Sequence, residues 1–287
     1  MTICYFTSDL HGRIDRYRKL CQAIAKERPA AVFLGGDLLP SATLLSSSRN
    51  SDHLDFINDY LVKELRQLRL ELEENYPRIF LILGNDDGRA TEAAILDAAN
   101  QGMWDYVHNR KVFFRDYTVF GYSYIPPTPF LLKDWEKYDI SRYVDPGCIP
   151  PEEGLRSFPV PGIDQKYSTI EKDLELLTDS ENIEKAIFLF HAPPYKTSLD
   201  RAALDGKMVD HVPLDVHVGS IAIQRFIKAR QPLLTLHGHV HESARLSGSW
   251  QDRIGNTYMF TAAHDGPELA LVRFHPEKLN EATRSLL

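Results

Sequence analysis

Cysteine is scarce in this chain, and its few cysteines form no recognisable pattern. They are Cys4, Cys21 and Cys148, an odd number with no CxxC pair. This argues against a disulfide framework and indicates a reducing compartment such as the cytoplasm. The first residues also lack the basic region and the apolar segment of a signal peptide. We therefore expect a cytoplasmic protein.

Long apolar runs and an excess of positive charge are missing as well. No uninterrupted apolar run approaches the roughly 20 residues that span a bilayer, so we expect no membrane-spanning helix. The net charge is −7, from 33 Lys and Arg against 40 Asp and Glu. This charge balance argues against nucleic-acid binding by a broad basic surface, although a local basic pocket is compatible with it. The composition is otherwise that of an ordinary globular protein, with 43% hydrophobic and 25% charged residues.

Short apolar runs alternate with longer helical patterns, which is typical of an α/β fold. Because we find no repeat and no linker, we expect a single domain over residues 1–287. A leucine stripe from Leu54 to Leu72 predicts core packing rather than a coiled coil. Strands are predicted at 3–6, 30–36, 78–84, 111–124, 185–191, 232–238, 257–263 and 269–275. Helices are predicted at 13–27, 52–75, 91–101, 165–177 and 220–229, the last with Ser220 as its N-cap.

One segment breaks this rhythm. Residues 126–163 contain eight of the 17 prolines of the chain, together with aromatic residues such as Trp135 and Tyr138. Proline excludes most regular strand pairing, and the aromatic side chains argue against disorder. Long ordered loops of this type are often lids or binding loops. We expect an insertion here, and two interpretations stay open: a lid over a site, or a packed surface segment.

Polar side chains follow the predicted strands at the point where each strand ends. Because ligands of open α/β sheets bind at the carboxyl ends of the strands, these side chains are expected to converge. Carboxylates, imidazoles and one carboxamide, without a thiolate, suit Mn²⁺, Fe or Zn²⁺. A spacing of one residue turns two side chains to one face in extended backbone, as in His239 and His241. The predicted metal ligands are Asp9, His11, Asp37, Asn85, His191, His239 and His241.

The order of these motifs resembles that of the calcineurin-like metallophosphoesterases. Their pattern is D-x-H, G-D, G-N-H-[DE], a later H and G-H-x-H. Stretches such as FHAPPYKTSLD and PLLTLHGHVHES are similar to a bacterial and archaeal subgroup, the Icc-related predicted phosphoesterases. In this chain the motifs are Asp9-Leu10-His11, Gly36-Asp37, Gly84-Asn85-Asp86-Asp87, His191 and Gly238-His239-Val240-His241.

This resemblance implies a four-layer α/β/β/α sandwich of two mixed β-sheets flanked by helices. It also implies a phosphohydrolase with two divalent metal ions, which lower the pKa of a shared water and clamp an in-line displacement at phosphorus. Asp37 would bridge the two ions. The first ion would be bound by Asp9, His11 and His241, and the second by Asn85, His191 and His239.

The chain departs from the family pattern where Asp86 replaces the histidine of G-N-H-[DE]. An ionised carboxylate repels a nearby phosphate, most strongly a dianionic monoester, whereas a protonated one is a candidate general acid. Two interpretations stay open: Asp86 favours singly charged diesters or substrates whose leaving group needs little protonation, or it points away and caps the following turn. Asp87 is expected to orient a neighbour or to cap the helix that begins near Thr91.

Further candidates follow from their positions beside the motifs. Arg13 lies two residues after His11, His237 precedes the G-H-x-H motif, and His264 follows another predicted strand. Gly219-Ser220 opens a helix whose free N–H groups are a candidate anion site. The predicted catalytic residues are Asp37 and Asp86, and the predicted substrate contacts are Arg13, Asn85, His237 and His264.

Among functions, the sequence favours a phosphodiesterase that acts on a small phosphoester. Three alternatives stay open: a phosphomonoesterase on nucleotides, sugars or phosphoproteins, a nuclease, and a non-catalytic interaction module on the same fold. The acidic balance counts against the nuclease, and the presence of all seven ligands counts against the module. The native metals and the substrate are not fixed by the sequence, and a homo-oligomer is compatible with it.

Overall fold

The strands and helices of the chain assemble into four layers. The computed structural model describes residues 2–41, 55–179 and 181–287. Within these ranges, two mixed six-stranded β-sheets pack face to face, and helices cover their outer faces. The predicted α/β class and the four-layer α/β/β/α sandwich are therefore confirmed.

The two sheets are built from strands that are distant in sequence. In chain order the strands are β1 (Cys4–Thr7), β2 (Ala31–Gly35), β3 (Arg78–Ile82), β4 (Asp105–Tyr106), β5 (Arg110–Phe114), β6 (Tyr117–Tyr122), β7 (Ala186–Phe190), β8 (Met208–Val209), β9 (Val212–Pro213), β10 (Leu234–His237), β11 (Gln251–Ile254), β12 (Thr257–Thr261), β13 (Ala270–Phe274) and β14 (Thr283–Leu286). The first sheet has the order β14-β13-β1-β2-β3-β4 and the second the order β11-β12-β10-β7-β6-β5. The strands β8 and β9 form a small separate hairpin.

The central strands are apolar on both faces because both faces are covered. In β1, Cys4 and Phe6 pack against the second sheet, while Tyr5 packs under the outer helices. The strands β1, β2 and β3 run parallel, and so do β6, β7, β10 and β12. The carboxyl ends of the central strands of each sheet therefore lie at one edge, which is where the polar motifs follow.

The outer layers consist of short helices. They are Ile14–Glu27, Val62–Leu72, Glu92–Asn100, Gly162–Tyr167, Ile170–Leu177, Ile221–Arg230 and Ser243–Ser247. Ser220 is the N-cap of Ile221–Arg230, because its Oγ accepts a hydrogen bond from the Ile223 N–H at 3.0 Å. Over the described ranges, no helix combines the length and the apolarity that a membrane crossing requires.

Two predicted helices differ from the observed ones. The predicted helix 52–75 contains a π-helical turn, Phe56–Leu61, before its α-helical part. Residues 52–54, which include Leu54 of the leucine stripe, lie outside the described residues. The predicted helix 165–177 is two helices, because the chain turns extended at Ser168 and Thr169 and the Thr169 side chain caps the second one.

The segment 111–124, predicted as one strand, is a hairpin of β5 and β6. Arg115 has a φ of 52°, in the left-handed region. The chain therefore reverses between Phe114 and Tyr117, which pair across the two strands. Two-residue turns of this kind need left-handed backbone. The apolar pattern runs through the turn, which is why the sequence suggested a single strand.

The insertion at residues 126–163 is tied to the rest of the fold. Its Trp135 is fully buried, and the indole N–H donates to the Asp87 carbonyl at 2.9 Å. Lys133 and Glu136 form a fully buried ion pair at 2.6 Å. On the outside, Phe130 and other apolar side chains are exposed. The inner half of the insertion is thus a packed segment, and its role as a lid stays a prediction.

His108 is expected to make the fold sensitive to acid. Its ring is partly buried against Trp135 and Tyr124, and its Nδ1 accepts from the Ser123 N–H at 3.0 Å. Burial, and then the charge of Lys137, lower the pKa of His108 to about 3. The unfolded chain takes up this proton near pH 6.5, so folded stability falls from there toward the folded pKa, by up to about 1.4 kcal/mol per pH unit.

Urea unfolding between pH 7 and pH 4.5 measures this effect. The variant His108→Phe should start less stable at pH 7, because the Ser123 N–H loses its acceptor. Its stability should then decline more gently with acid than that of the native protein. Equal slopes for the two proteins would contradict the assignment.

Candidate metal centre

The polar side chains that follow the central strands meet at one point between the two sheets. Asp9 and His11 follow β1, Asp37 follows β2, and His241 follows β10. One ligand atom from each of these residues lies within 4.8 Å of the others. Residues as far apart in sequence as Asp9 and His241 are thereby brought to a spacing that fits coordination of one cation.

The first half of the site consists of Asp9, His11 and His241. The Nε2 atoms of His11 and His241 lie 3.1 Å apart, and the His241 Nε2 lies 3.3 Å from the Asp9 Oδ1. Asp9 is fully buried, whereas the His241 side chain is 33% exposed. This half of the site is therefore open to solvent on the His241 side.

The second half of the site surrounds His191, which is fully buried. Its Nε2 lies 3.0 Å from the Asn85 Oδ1 and 3.3 Å from the Asp37 Oδ2. The His239 ring lies beside it, with the ring centroids 5.3 Å apart. Asp37 thus lies between the two halves, in the position that the resemblance assigned to a bridging ligand.

The donor set fits a cation because acceptor atoms face one another. The His191 Nδ1 donates to the Gly35 carbonyl at 2.8 Å, so its Nε2 is the atom that faces the oxygens of Asn85 and Asp37. Burial alone would lower the pKa of His191, but the charge of Asp37 and its contact with this ring raise it to about 9. Protons bound here occupy the place of a more highly charged ion, and metal binding would release them.

At the other predicted ligands, too, burial and the neighbouring charges shift the pKa values. Burial lowers the pKa of His11, but the bond to Asp86 and the charges of Asp37 and Asp9 raise it to about 9. Burial would raise the pKa of Asp9, yet its bond to His241 and the neighbouring imidazoles hold it below its usual range. At His239, burial and the charge of His191 lower the pKa to about 3. His239 therefore presents a neutral ring, as a metal ligand must.

The backbone at the ligands is left-handed, which corrects one sequence argument. The φ angles are 57° at Asp9, 48° at His11, 51° at Asp37 and 73° at His239. Extended backbone is therefore not what aims the one-residue pairs at the site. Left-handed backbone costs about 1–2 kcal/mol per residue, and hydrogen bonds such as His11 N–H to the Asp37 carbonyl, 2.8 Å, hold it in place.

Glycine lets the two motif loops approach each other. A Cβ at Gly84 would lie 2.4 Å from the Asp37 Oδ1 and 2.6 Å from the His191 Cε1. Gly36 has a φ of 90°, and a Cβ there would lie 2.6 Å from the His191 Nδ1. Any side chain at these two positions would push the central ligands apart.

Asp86 faces the site and does not point away. Its N–H donates to the Asp37 Oδ1 at 2.7 Å, and its Oδ2 lies 3.1 Å from the His11 Nδ1. The Ser41 hydroxyl donates to its other oxygen at 2.7 Å. The Asp86 side chain is 25% exposed. Its carboxylate therefore lies at the solvent side of the site, in contact with the predicted metal ligand His11.

Asp87 is fully buried below the site and orients the loops that carry the ligands. Its carboxylate accepts from the N–H groups of Leu38, Leu39 and Gly84 at 2.8 to 3.1 Å. Burial, and then the charge of Asp37, raise the pKa of Asp87 to about 7. Asp87 thus joins the loop after β2 to the loop after β3, and it does not cap the helix Glu92–Asn100.

The predicted substrate contact of His237 is not supported by its surroundings. The ring is fully buried and stacks on Phe190. Its Nδ1 donates to the Ala192 carbonyl at 2.8 Å, and its Nε2 lies 2.7 Å from the Thr235 hydroxyl. Burial lowers the pKa of His237 to about 4. This histidine is a neutral core residue, because the left-handed residue His239 breaks the alternation on which the prediction depended.

The helix N-terminus at Gly219-Ser220 already binds a carboxylate of the protein itself, that of Asp139. The Asp139 carboxylate of the insertion accepts from the Ser220 hydroxyl and from the N–H groups of Ile221 and Ala222. A phosphate would have to displace this partly buried carboxylate. The predicted anion site at this helix is therefore wrong.

Arg13 and His264 lie outside the ligand cluster. The Arg13 side chain is 42% exposed and lies 3.6 Å from the Asp15 carboxylate. The His264 Nε2 lies 3.0 Å from the Glu268 carboxylate. Both substrate contacts stay predictions. Sequence reasoning missed Arg16, a buried arginine that donates to the Asp9 carbonyl; its place on the helix Ile14–Glu27 carries no signal of that role.

Comparison with known proteins adds a family and a fold. The sequence profile of the family described as calcineurin-like phosphoesterase matches residues 4–243. An uncharacterised protein of Methanocaldococcus jannaschii is 32% identical over 94 residues, which span 32% of this chain and 37% of that protein.

Solved structures resemble the whole chain at low identity. A protein of Thermus thermophilus is 17% identical, with a TM-score of 0.54 over 99% of this chain and 98% of that one. A dimetal phosphatase from Danio rerio is 13% identical, with a TM-score of 0.51 over 99% of this chain and 95% of that one. At such identities the likeness is one of fold.

Proposed function

Because the chain belongs to the calcineurin-like phosphoesterase family, whose members are metal-dependent phosphoester hydrolases, we propose that it acts as a phosphodiesterase. The observation that carries this proposal is the convergence of the ligand atoms around Asp37 with the Asp86 carboxylate beside them. A fixed negative charge at this place discriminates against substrates by their charge. A diester carries one negative charge, whereas a monoester carries close to two at neutral pH.

We assign the ligands to two divalent ions. Asp37 lies between two groups of side chains, and its two oxygens can serve both ions. When bound, the ions would lower the pKa of a water molecule and offset charge on the phosphoryl oxygens. Mn²⁺, Fe and Zn²⁺ all suit this donor set. One ion would be bound by Asp9, His11 and His241, and the other by Asn85, His191 and His239.

The residues of the chain contribute position rather than covalent chemistry. Gly35 fixes the His191 ring so that only its Nε2 faces the ligands. The Asp86 N–H holds one oxygen of Asp37 at 2.7 Å, which leaves the other oxygen toward His191. A small phosphoester would enter from the side where His241 and Asp86 are exposed. The unpaired cysteines agree with a reducing compartment, and we propose the cytoplasm.

Replacing Asp86 with histidine should shift selectivity toward monoesters. We expect the ratio of kcat/KM for an aryl diester to that for the matching aryl monoester to fall by roughly tenfold, because about 1.4 kcal/mol of charge repulsion is removed. The measurement uses both substrates with Mn²⁺ supplied, in the native protein and in Asp86→His.

Two controls accompany this comparison. The variant Asp116→His makes the same exchange at an exposed turn and should leave the ratio unchanged. The variant His191→Ala removes a central ligand and should abolish turnover of both substrates. A native preference for the monoester that Asp86→His leaves unaltered would contradict the proposal and would favour a phosphomonoesterase. Absence of turnover of both substrates in the native protein would favour the interaction module, and turnover without metal would contradict the metal-dependent mechanism.

A further inference from the structure

The two halves of the metal centre differ in the groups that orient their histidines. The His191 Nδ1 donates to a neutral acceptor, the Gly35 carbonyl, at 2.8 Å. The His11 Nδ1 faces an anion, the Asp86 carboxylate, at 3.1 Å. Because a carboxylate only accepts, the proton of a neutral His11 lies on Nδ1, and its Nε2 lone pair faces His241. Asp86 therefore fixes both the tautomer and the ring direction of His11.

Asp86 is itself held from two directions. The Ser41 hydroxyl donates to its Oδ1 at 2.7 Å, and its own N–H donates to the Asp37 Oδ1 at 2.7 Å. The next residue, Asp87, holds the loop backbone through three N–H groups. A carboxylate with so little freedom loses little entropy when it orients an imidazole. The contact between the Asp86 carboxylate and His11 is therefore held in place by the surrounding structure.

The charge of the two halves is also unequal. The half with His11 contains the carboxylates of Asp9 and Asp37 and, one step outside, that of Asp86. The half with His191 contains the carboxylate of Asp37 and the neutral amide of Asn85. A hydrogen bond from a ligand histidine to a carboxylate raises the basicity of the ligand, and such outer partners contribute about 10–100-fold to metal affinity.

We infer that Asp86 is a positioning residue that makes the two metal sites unequal, with the Asp9–His11–His241 site the tighter one. This inference rests on the two-ion centre of the proposed function. It assigns to Asp86 a role on His11, in addition to its effect on substrate charge. The two ions then bind in separate steps, and the first ion enters the half that Asp86 supports.

Metal titration of chelator-treated protein tests the inference without any substrate. We expect Mn²⁺, followed by calorimetry and by the electron paramagnetic resonance signal of the free ion, to bind the native protein in two resolved steps. In Asp86→Ala the tighter step should weaken by about 10–100-fold, with a smaller change in the weaker one. In Asp86→Asn the amide oxygen still accepts from His11, so the loss should be intermediate.

A matched control and a spectrum complete the experiment. Glu268→Ala removes a carboxylate 3.0 Å from His264, a histidine outside the cluster, and should leave both steps unchanged. With one equivalent of Co²⁺, the ligand-field absorption of Asp86→Ala should differ from that of the native protein. If the alanine variant does not fold, as judged by thermal unfolding in chelator, Asp86→Asn carries the test.

The inference is overturned if Asp86→Ala and Asp86→Asn leave both steps unchanged or weaken them equally. An effect of Glu268→Ala as large as that of Asp86→Ala would also overturn it. Two unequal binding steps without phosphoester turnover would refute the proposed function and support this inference. Phosphoester turnover by a native protein that binds its two ions with equal affinity would support the proposed function and refute this inference.

Discussion

Metal-dependent phosphoester turnover is expected to fall by about 10³-fold or more when Asp37 is replaced by asparagine, since a bridging charge supplies several kcal/mol. Asp37 is nearly fully buried, and its Oδ2 lies 3.3 Å from the His191 Nε2. Asparagine keeps the shape but removes the charge, and its NH₂ group cannot bind a cation. The measurements are kcat/KM at saturating Mn²⁺ and the number of ions bound per chain.

A partly buried carboxylate, that of Asp139, provides the control for Asp37→Asn. Asp139 caps the helix Ile221–Arg230 through its bonds to Ser220 and Ile221, away from the described metal ligands. The variant Asp139→Asn should lose some stability while it still binds two ions. If Asp37→Asn bound two ions and kept native turnover, Asp37 would not bridge the ions and the proposed centre would be wrong.

The largest loss of stability is expected for Asp87→Ala. Its carboxylate accepts from three buried backbone N–H groups, and within the described residues those of Leu38 and Leu39 donate to no other acceptor. A buried donor without a partner costs about 1–3 kcal/mol, so we expect a loss of roughly 2–6 kcal/mol from these two groups. Metal affinity should fall with it, because the loops that carry Asp37 and Asn85 lose their link.

Urea unfolding of Asp87→Ala, Asp87→Asn and Asp116→Ala tests this prediction. Asp87→Asn keeps one carbonyl oxygen for part of the bonds, so its loss should be intermediate. The variant Asp116→Ala, at an exposed turn, should stay within about 0.5 kcal/mol of the native protein. If Asp87→Ala were no less stable than Asp116→Ala, the loops after β2 and β3 would be held by other contacts.

The convergence of the predicted ligands could be expected because each of them follows an apolar strand. A run such as Leu81–Leu83 identifies an interior strand, and parallel strands bring their carboxyl ends to one edge. Asp37 and Asn85 could therefore be expected together although 48 positions separate them.

The orientation of side chains beyond a strand end was not predictable in this way. His237 and His239 are two positions apart, yet one lies in the core and the other beside the predicted metal ligand His191, because His239 has a left-handed backbone. The sequence gives no sign of φ at a histidine. The contacts of Asp139 and Trp135 could not be predicted from the sequence either, because a proline-rich segment has no periodic pattern from which a partner can be inferred.

The left-handed backbone at Asp9, His11, Asp37 and His239 has a consequence for how ions enter and leave. Backbone carbonyl groups, such as those of Gly36 and Asp37, accept hydrogen bonds from the N–H groups of these turns and help to hold them. In a zinc finger the ion folds the polypeptide, so a chelator denatures it. Because backbone hydrogen bonds contribute to holding these turns, we expect ions to exchange while the polypeptide keeps its shape, and we expect the most abundant divalent ion in the surroundings to occupy the site.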